Sequence, residues 1–185
     1  LVSLALVLTL PVPVMVAMNG ELDWGPVIGS YVGAVLLAGA YLAIGLSISA
    51  LTDNQIIALI LSVVACGAFW LVGSDLVVQY VGIEAGEVLT AIGTGSRFDS
   101  IRRGVLDVRD LVYYASIVVA FLTVNTIVIA SKGWSDGART RKHRFNAQTT
   151  AALVAVNALL LNFVLAPVGA LRIDMTERGE YSISE

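Results

Sequence analysis

The residues best suited to chemistry lie together in the stretch SRFDSIRRGVLDVRDLVYY, residues 96–114, which runs directly into an apolar segment. Guanidinium and carboxylate groups at this density can bind a charged partner or pair with one another. Nucleophilic catalysis would also need a base beside a nucleophile, and the one histidine and the one cysteine, His143 and Cys66, lie elsewhere. The stretch therefore predicts a docking, gating or structural role. Its charged members are Arg97, Asp99, Arg102, Arg103, Asp107, Arg109 and Asp110.

Motifs for nucleotide and metal binding do not occur in the sequence. The stretch GTGS at residues 93–96 lacks the lysine of a phosphate-binding loop, so ATP would have to bind on another subunit. His143 has no second ligand at metal spacing. We expect no cofactor, no metal and no enzymatic activity of the chain itself. The basic residues around His143 flank an apolar run, which also disfavours a nucleic-acid partner.

The composition places the chain in a membrane. Hydrophobic residues make up 57% of the 185 residues, charged residues only 14%, and the mean hydropathy is +0.85. Soluble domains carry about 25% charged residues. We predict an all-α integral membrane protein with about five transmembrane helices, an interfacial amphipathic helix and the start of an extracytoplasmic α/β domain at the C-terminus.

Five apolar runs are long enough to cross a bilayer, since a spanning helix needs about 20 residues. Pro11 and Pro13 predict a kink in the first run. This run has no initiator methionine and no basic signal region, so we expect it to begin within a longer protein. Gly25, Gly29 and Gly33 recur every fourth residue and predict close helix packing. The runs occupy residues 1–18, 27–51, 56–72, 112–130 and 147–167.

A few polar residues at or within these runs predict local hydrogen bonds. Asp53 and Asn54 lie in the tight turn before the third run, where their side chains suit helix capping. Asn157 and Asn162 are the amides in the middle of the fifth run and are expected to bond to neighbouring helices. These residues have structural explanations that need no ligand.

The region between the third and fourth runs is predicted to lie at the membrane surface. Residues 73–96 mix glycine and acidic residues with apolar pieces too short to span, which favours interfacial or re-entrant structure. In the next stretch Phe98, Ile101, Val105 and Val108 form one helical stripe, so we predict an amphipathic helix over residues 97–110. Pairs four residues apart, such as Arg103 with Asp107, would add a few tenths of a kcal/mol each.

Charge sets the predicted topology. Residues 131–146, SKGWSDGARTRKHRFN, are rich in Lys and Arg and close to two runs, so the positive-inside rule makes them cytoplasmic. Alternation then places the amphipathic helix and the C-terminal tail outside. In the tail, alternation around the ERGE turn predicts a β-hairpin or the entry to a sheet.

Two stretches carry a family resemblance. SALTDNQIIALILS, followed by RFDSIRRGVLDVRDLVYY, resembles the C-terminal half of an ABC-2 type permease of the gliding-motility branch, over residues 23–131. RIDMTERGEYSIS resembles the segment that follows the membrane anchor of the gliding-motility auxiliary protein, over residues 146–185. The resemblance implies a permease that dimerises, couples to a separate cytoplasmic ABC ATPase subunit in the cytoplasmic membrane and moves a substrate outward.

The resemblance also implies site residues and domain limits. The permease part would be residues 1–131, a basic linker 132–146, an additional anchor 147–170 and the auxiliary extracytoplasmic domain from residue 171. Two more spans would be needed before Leu1 for a full permease. The implied residues are Thr52, Asn54 and Gln55 at the inner turn; Phe98, Arg102, Arg103, Gly104, Asp107, Asp110 and Tyr113 at the outer helix; and Arg172, Asp174, Thr176, Glu177, Tyr181 and Ser182 in the entry motif of the auxiliary domain.

Two functions remain open from the sequence. One is the permease component of an ATP-driven exporter, in which the outer helix is a lid or a docking surface for the auxiliary domain. The other is a scaffold without transport activity that anchors an external domain. Membrane lipid is a partner in both.

Overall fold

The computed structural model describes the backbone of residues 1–133, 138–165 and 172–175, and, within these ranges, the side chains except those of residues 75, 83–84, 138–144 and 172–174. The described chain is almost entirely helical. Its elements are α1 (Val2–Thr9), α2 (Pro11–Asn19), α3 (Trp24–Leu51), α4 (Gln55–Val72), α5 (Asp75–Val81), α6 (Ile83–Ile92), α7 (Thr94–Arg102), β1 (Val105–Asp107), α8 (Val108–Lys132), α9 (Ala138–Leu165) and β2 (Arg172–Asp174).

Five stretches of the described chain are long and apolar enough to cross a membrane, which confirms the predicted multi-pass membrane protein. Large apolar side chains on them are exposed, among them Leu8, Leu59 and Phe163. This exposure is what a lipid solvent allows, because lipid tails are as apolar as leucine. The first span changes from α1 to α2 at Leu10, directly before Pro11, as the prolines predict. The stretches are Val2–Asn19, Trp24–Leu51, Gln55–Val72, Val108–Lys132 and Phe145–Leu165.

The short elements after α4 cannot span, as predicted. Helix α5 has 7 residues and α6 has 10, so they extend about 10 and 15 Å at 1.5 Å per residue. A hydrocarbon core is about 30 Å thick. The two helices form a hairpin in which Gly86 lies against Val78.

The predicted amphipathic helix over residues 97–110 is wrong. Helix α7 ends at Arg102, strand β1 follows, and α8 begins at Val108. Gly104 has φ +84°, a left-handed conformation that ends a helix and that side chains other than glycine adopt at a cost. The predicted apolar stripe and the predicted pair of Arg103 with Asp107 therefore do not lie on one continuous helix. Helical spacing did not reveal the break because the apolar period continues across the glycine.

A two-stranded antiparallel sheet joins β1 to β2. Leu106 pairs with Ile173 and Asp107 with Arg172, and the Met175 N–H donates to the Gly104 carbonyl at 3.0 Å. Residues 172–174, where the sequence predicts a hairpin or the entry to a sheet, form a strand whose partner is β1. The second strand of the predicted hairpin lies outside the described residues.

The segment predicted as a basic linker to residue 146 is partly helical. Helix α9 begins at Ala138, so its backbone is helical for seven residues before the span that starts at Phe145. The linker prediction relied on glycine, serine and aspartate, and these residues all lie before Ala138.

The described chain divides into two compact units, each with its own packing. The first unit is formed by Leu1–Ala38 and Phe69–Asp110 with β2. In it, the glycine spacing of α3 allows α7 to approach closely, as predicted. Gly29 contacts the Ile101 carbonyl, and Gly33 lies beside the Ile101 and Phe98 side chains. A methyl group at Gly29 would overlap that carbonyl.

The second unit contains Gly39–Ala68, α8 from Leu111 onwards and α9, and is joined by hydrogen bonds between helices. The Ser47 hydroxyl donates to the Phe121 carbonyl at 2.6 Å. The Asn162 amide donates to the Ser116 hydroxyl at 2.8 Å, which confirms the prediction for Asn162. The Asn157 amide donates to the Leu153 carbonyl of its own helix.

We expect Gly104→Ala to destabilise the protein by about 1–3 kcal/mol, because the residue has a positive φ and its Cβ would lie 3.0 Å from the backbone of Gly25 and Pro26. Gly20→Ala is the matched control: Gly20 is extended at φ −173° and has nothing within 4 Å of a Cβ. Denaturation in detergent, followed by circular dichroism, measures both. Equal stability of the two variants would contradict the assigned turn.

The register of the sheet predicts that cysteines introduced at opposite positions of β1 and β2 will form a disulfide. Opposite Cα atoms in an antiparallel pair lie about 4.5–5.5 Å apart, within disulfide range. In a Cys66→Ala background, Leu106→Cys with Ile173→Cys should cross-link on mild oxidation, seen as a mobility shift that a reductant reverses. Asp99→Cys with Ile173→Cys is the control, because Asp99 lies in α7 and not in the ladder. Equal cross-linking in both pairs would contradict the register.

Candidate functional site

The candidate site is the charged segment, which we define as residues 94–110: α7, the turn at Gly104, β1 and the first residues of α8. Its start is fixed by glycine contacts. Gly93 touches Gly73, and a Cβ at Gly95 would lie 2.8 Å from the Trp70 carbonyl. The Trp70 and Phe98 rings pack 5.8 Å apart. The glycines of the GTGS stretch thus let α7 approach the end of α4.

An ion pair connects three helices of this region. The Arg97 Nη1 donates to the Asp110 Oδ1 at 2.8 Å, and the two side chains are only 16% and 8% exposed. The Arg97 Nε and Nη2 also donate to the Ala91 carbonyl, each at 3.3 Å. Arg97 on α7 therefore binds both the last turn of α6 and the first turn of α8. A guanidinium suits this position because its donors form a fork that reaches two acceptors.

Asp107 caps the fourth span. It directly precedes α8, and its Oδ1 accepts from the Arg109 backbone N–H at 2.9 Å, the geometry of an N-cap. Its Oδ2 accepts from the Arg109 Nε at 2.7 Å. Asp110, in the first turn of the same helix, adds a second negative charge where the helix dipole favours one. Both residues are buried.

The predicted site residues therefore separate into two groups. Asp107, Asp110 and Gly104 are buried and determine how α8 begins. Arg102 and Arg103 are exposed, and Arg102 forms an open pair with Asp99 at 3.3 Å. A partner that binds this segment through charge would contact Arg102 and Arg103.

The two aromatic members lie apart from these charges. Phe98 is half-buried beside Trp70 in the first unit. Tyr113 is buried in the second unit, with its ring 5.4 Å from that of Tyr114 in an edge arrangement. Neither ring is available as an exposed docking group.

The inner turn is organised by its own hydrogen bonds. The Asn54 Oδ1 accepts from the Ile56 N–H at 2.9 Å, which confirms the predicted cap on α4. The Thr52 hydroxyl donates to the Ile48 carbonyl at 3.1 Å. Gln55 is exposed at the start of α4 and lines an open groove of about 420 Å³ with Ser49, Ile56, Ala58, Leu59 and Ser62.

Lys132 at the end of α8 lies 3.4 Å from Asp53 in this turn. The turn and the end of α8 therefore face the same side of the membrane, as the predicted topology requires. Both partners are largely exposed, so the pair contributes little stability.

The structure brings the backbone of two residues of the entry motif to the charged segment. Arg172 is the register partner of Asp107, whereas Asp174 pairs with Val105. Thr176, Glu177, Tyr181 and Ser182 lie outside the described residues. The predicted alternation places the start of the fourth span and the end of the fifth on one side of the membrane, and the pairing of β1 with β2 is compatible with that prediction.

Sequence reasoning missed the two contacts that matter most at this site. Arg97 and Asp110 are 13 residues apart, which is no helical spacing, and the Ala91 carbonyl carries no side-chain signal. The cap could have been found, because an aspartate directly before a long apolar helix is an N-terminal signature.

Within the described side chains, no group of three His, Cys, Asp or Glu residues is placed to hold a metal ion. The fold and the charged segment define a multi-pass α-helical membrane protein with an ion-paired, strand-paired segment between two of its spans. No protein family, no curated protein and no solved structure matches the chain.

We expect Arg97→Gln to destabilise the protein by about 3 kcal/mol, because it leaves the buried Asp110 carboxylate without its cation. Arg102→Gln should cost only a few tenths of a kcal/mol, since its pair with Asp99 is exposed. Asp110→Asn in the Arg97→Gln background should recover part of the loss. Denaturation in detergent measures all three, and similar losses for the two arginine variants would contradict the assignment.

Proposed function

We propose that this chain is the membrane-spanning permease component of an ATP-driven exporter of the ABC type, working with a separate cytoplasmic ATPase. The proposal rests first on the resemblance of the inner turn and the charged segment to an ABC-2 permease. The observation that carries it furthest is the organised segment between α4 and α8, where residues 73–107 build three short helices and a strand.

The charge content of the membrane-spanning stretches bears on how transport would be driven. The membrane-spanning stretches contain no Asp, Glu, Lys or Arg except Arg109, Asp110 and Lys132 at the two ends of α8. A proton-driven carrier needs ionisable groups along its path. Transport by these helices would therefore be driven by a partner, and the inner turn at Thr52, Asn54 and Gln55 is the surface we assign to that partner.

The charged segment is proposed to dock the extracytoplasmic part of the chain. The pairing of β2 with β1 supports this, since the strand that follows the fifth span adds directly to the segment. Backbone pairing supplies affinity in strand addition, while neighbouring side chains supply specificity. The exposed Arg102 and Arg103 are the charges available to a docked domain.

The second candidate is a membrane scaffold that anchors an extracytoplasmic domain without transport. The same strand pairing favours it, because a strand that clamps the tail to the membrane part is useful to an anchor as well. A scaffold would need no ATPase. The two functions therefore differ in one partner.

The first test is to purify the protein from its native membranes in mild detergent. A permease should bring down a nucleotide-binding subunit with vanadate-sensitive ATP hydrolysis. Recovery of external proteins without such a subunit would favour the scaffold and remove the transport proposal.

The inner turn supplies a matched pair of variants for this test. Gln55→Arg should reduce recovery of the ATPase severalfold, because it places a bulky cation in an exposed position of the turn. Gln79→Arg makes the same change at an exposed position of α5, between α4 and α8, and should leave recovery unchanged. Equal recovery with both variants would remove the inner turn from the interface.

A further inference from the structure

The helical extension of α9 ahead of its span has a charge pattern that the permease and scaffold functions leave unexplained. The extension is the seven residues 138–144 that precede the span at Phe145. It contains Arg139, Arg141, Lys142 and Arg144 and no acidic residue. Four cations in seven residues repel one another, and the positive end of the helix dipole adds to the repulsion.

The helical geometry places these residues at a defined depth. Seven residues of α-helix rise about 10 Å. The headgroup layer on each side of a bilayer is about 5–8 Å thick. A continuous helix therefore extends the backbone of these residues over about the thickness of the headgroup layer.

In the sequence, Asp136 stands two residues before the extension, so residues 136–144 hold four Lys or Arg and one Asp, an excess of three positive charges. Asp53, in the inner turn, lies 3.4 Å from the Lys132 ammonium. Asp53 is therefore already paired with a cation at the end of the preceding span. An anion from outside the chain is the complement that this distribution calls for.

We propose that the α9 extension binds the phosphate groups of anionic phospholipids in the leaflet where α9 enters the membrane. Clusters of four or more Lys and Arg directly beside a span attract anionic lipid by about 1 kcal/mol per cation. The site is independent of transport, so it exists in a permease and in a scaffold alike. Its lipid would hold the start of α9 at the membrane surface.

The test is native mass spectrometry of the full chain in detergent, titrated with phosphatidylglycerol or phosphatidylcholine. Phosphatidylglycerol should bind preferentially. Arg141→Gln with Lys142→Gln should weaken its binding by about tenfold or more. Arg102→Gln with Arg103→Gln removes two exposed cations between α4 and α8 and should have no such effect.

Two further arms separate the alternatives. Arg141→Lys with Lys142→Arg keeps both charges and should retain phosphatidylglycerol binding, which excludes loss through misfolding. Inorganic phosphate at the same concentration should not compete. Equal loss in both glutamine pairs, no preference for phosphatidylglycerol, or full competition by inorganic phosphate would each overturn the lipid site.

Discussion

The chain must end the short helix α6 and begin the fourth span without leaving polar groups unpaired. The Arg97 side chain contributes to this by binding acceptors on both helices. Its guanidinium takes a carbonyl from the last turn of α6 and a carboxylate from the first turn of α8. Asp107 satisfies a free N–H of α8 from the other side. Near a membrane, unpaired backbone N–H and C=O groups find little water to bond with. The side chains of Arg97 and Asp107 therefore determine where the fourth span starts.

Glycine makes this arrangement possible at short range. Gly29 allows the Ile101 carbonyl to contact α3, and Gly104 supplies the left-handed turn that sends the chain from α7 into β1. Strand β1 then receives the strand that follows the fifth span. The charged segment is therefore a junction that joins the start of one span to the tail beyond another, and its exposed arginines remain available for a partner.

The topology predicted from the sequence gives the two sides of the membrane different chemistry. It assigns the inner turn, Lys132 and the basic extension of α9 to the cytoplasmic side, and the sheet and the paired charges to the other. This asymmetry suits a permease that meets an ATPase on one side and an external domain on the other. It also suits an anchor, and for this reason the partner on the cytoplasmic side decides between the two.

The sequence by itself determined the membrane class, the number of spans and the helix cap at Asn54, because hydropathy and capping act over a few neighbouring residues. It predicted the wrong structure for residues 97–110, since an apolar period of three and four residues continues across Gly104 although the helix does not. The pairing of Arg97 with Asp110 and of β1 with β2 was decided only by the tertiary structure. Both join residues whose separation along the chain follows no local period, so only the folded backbone brings them together.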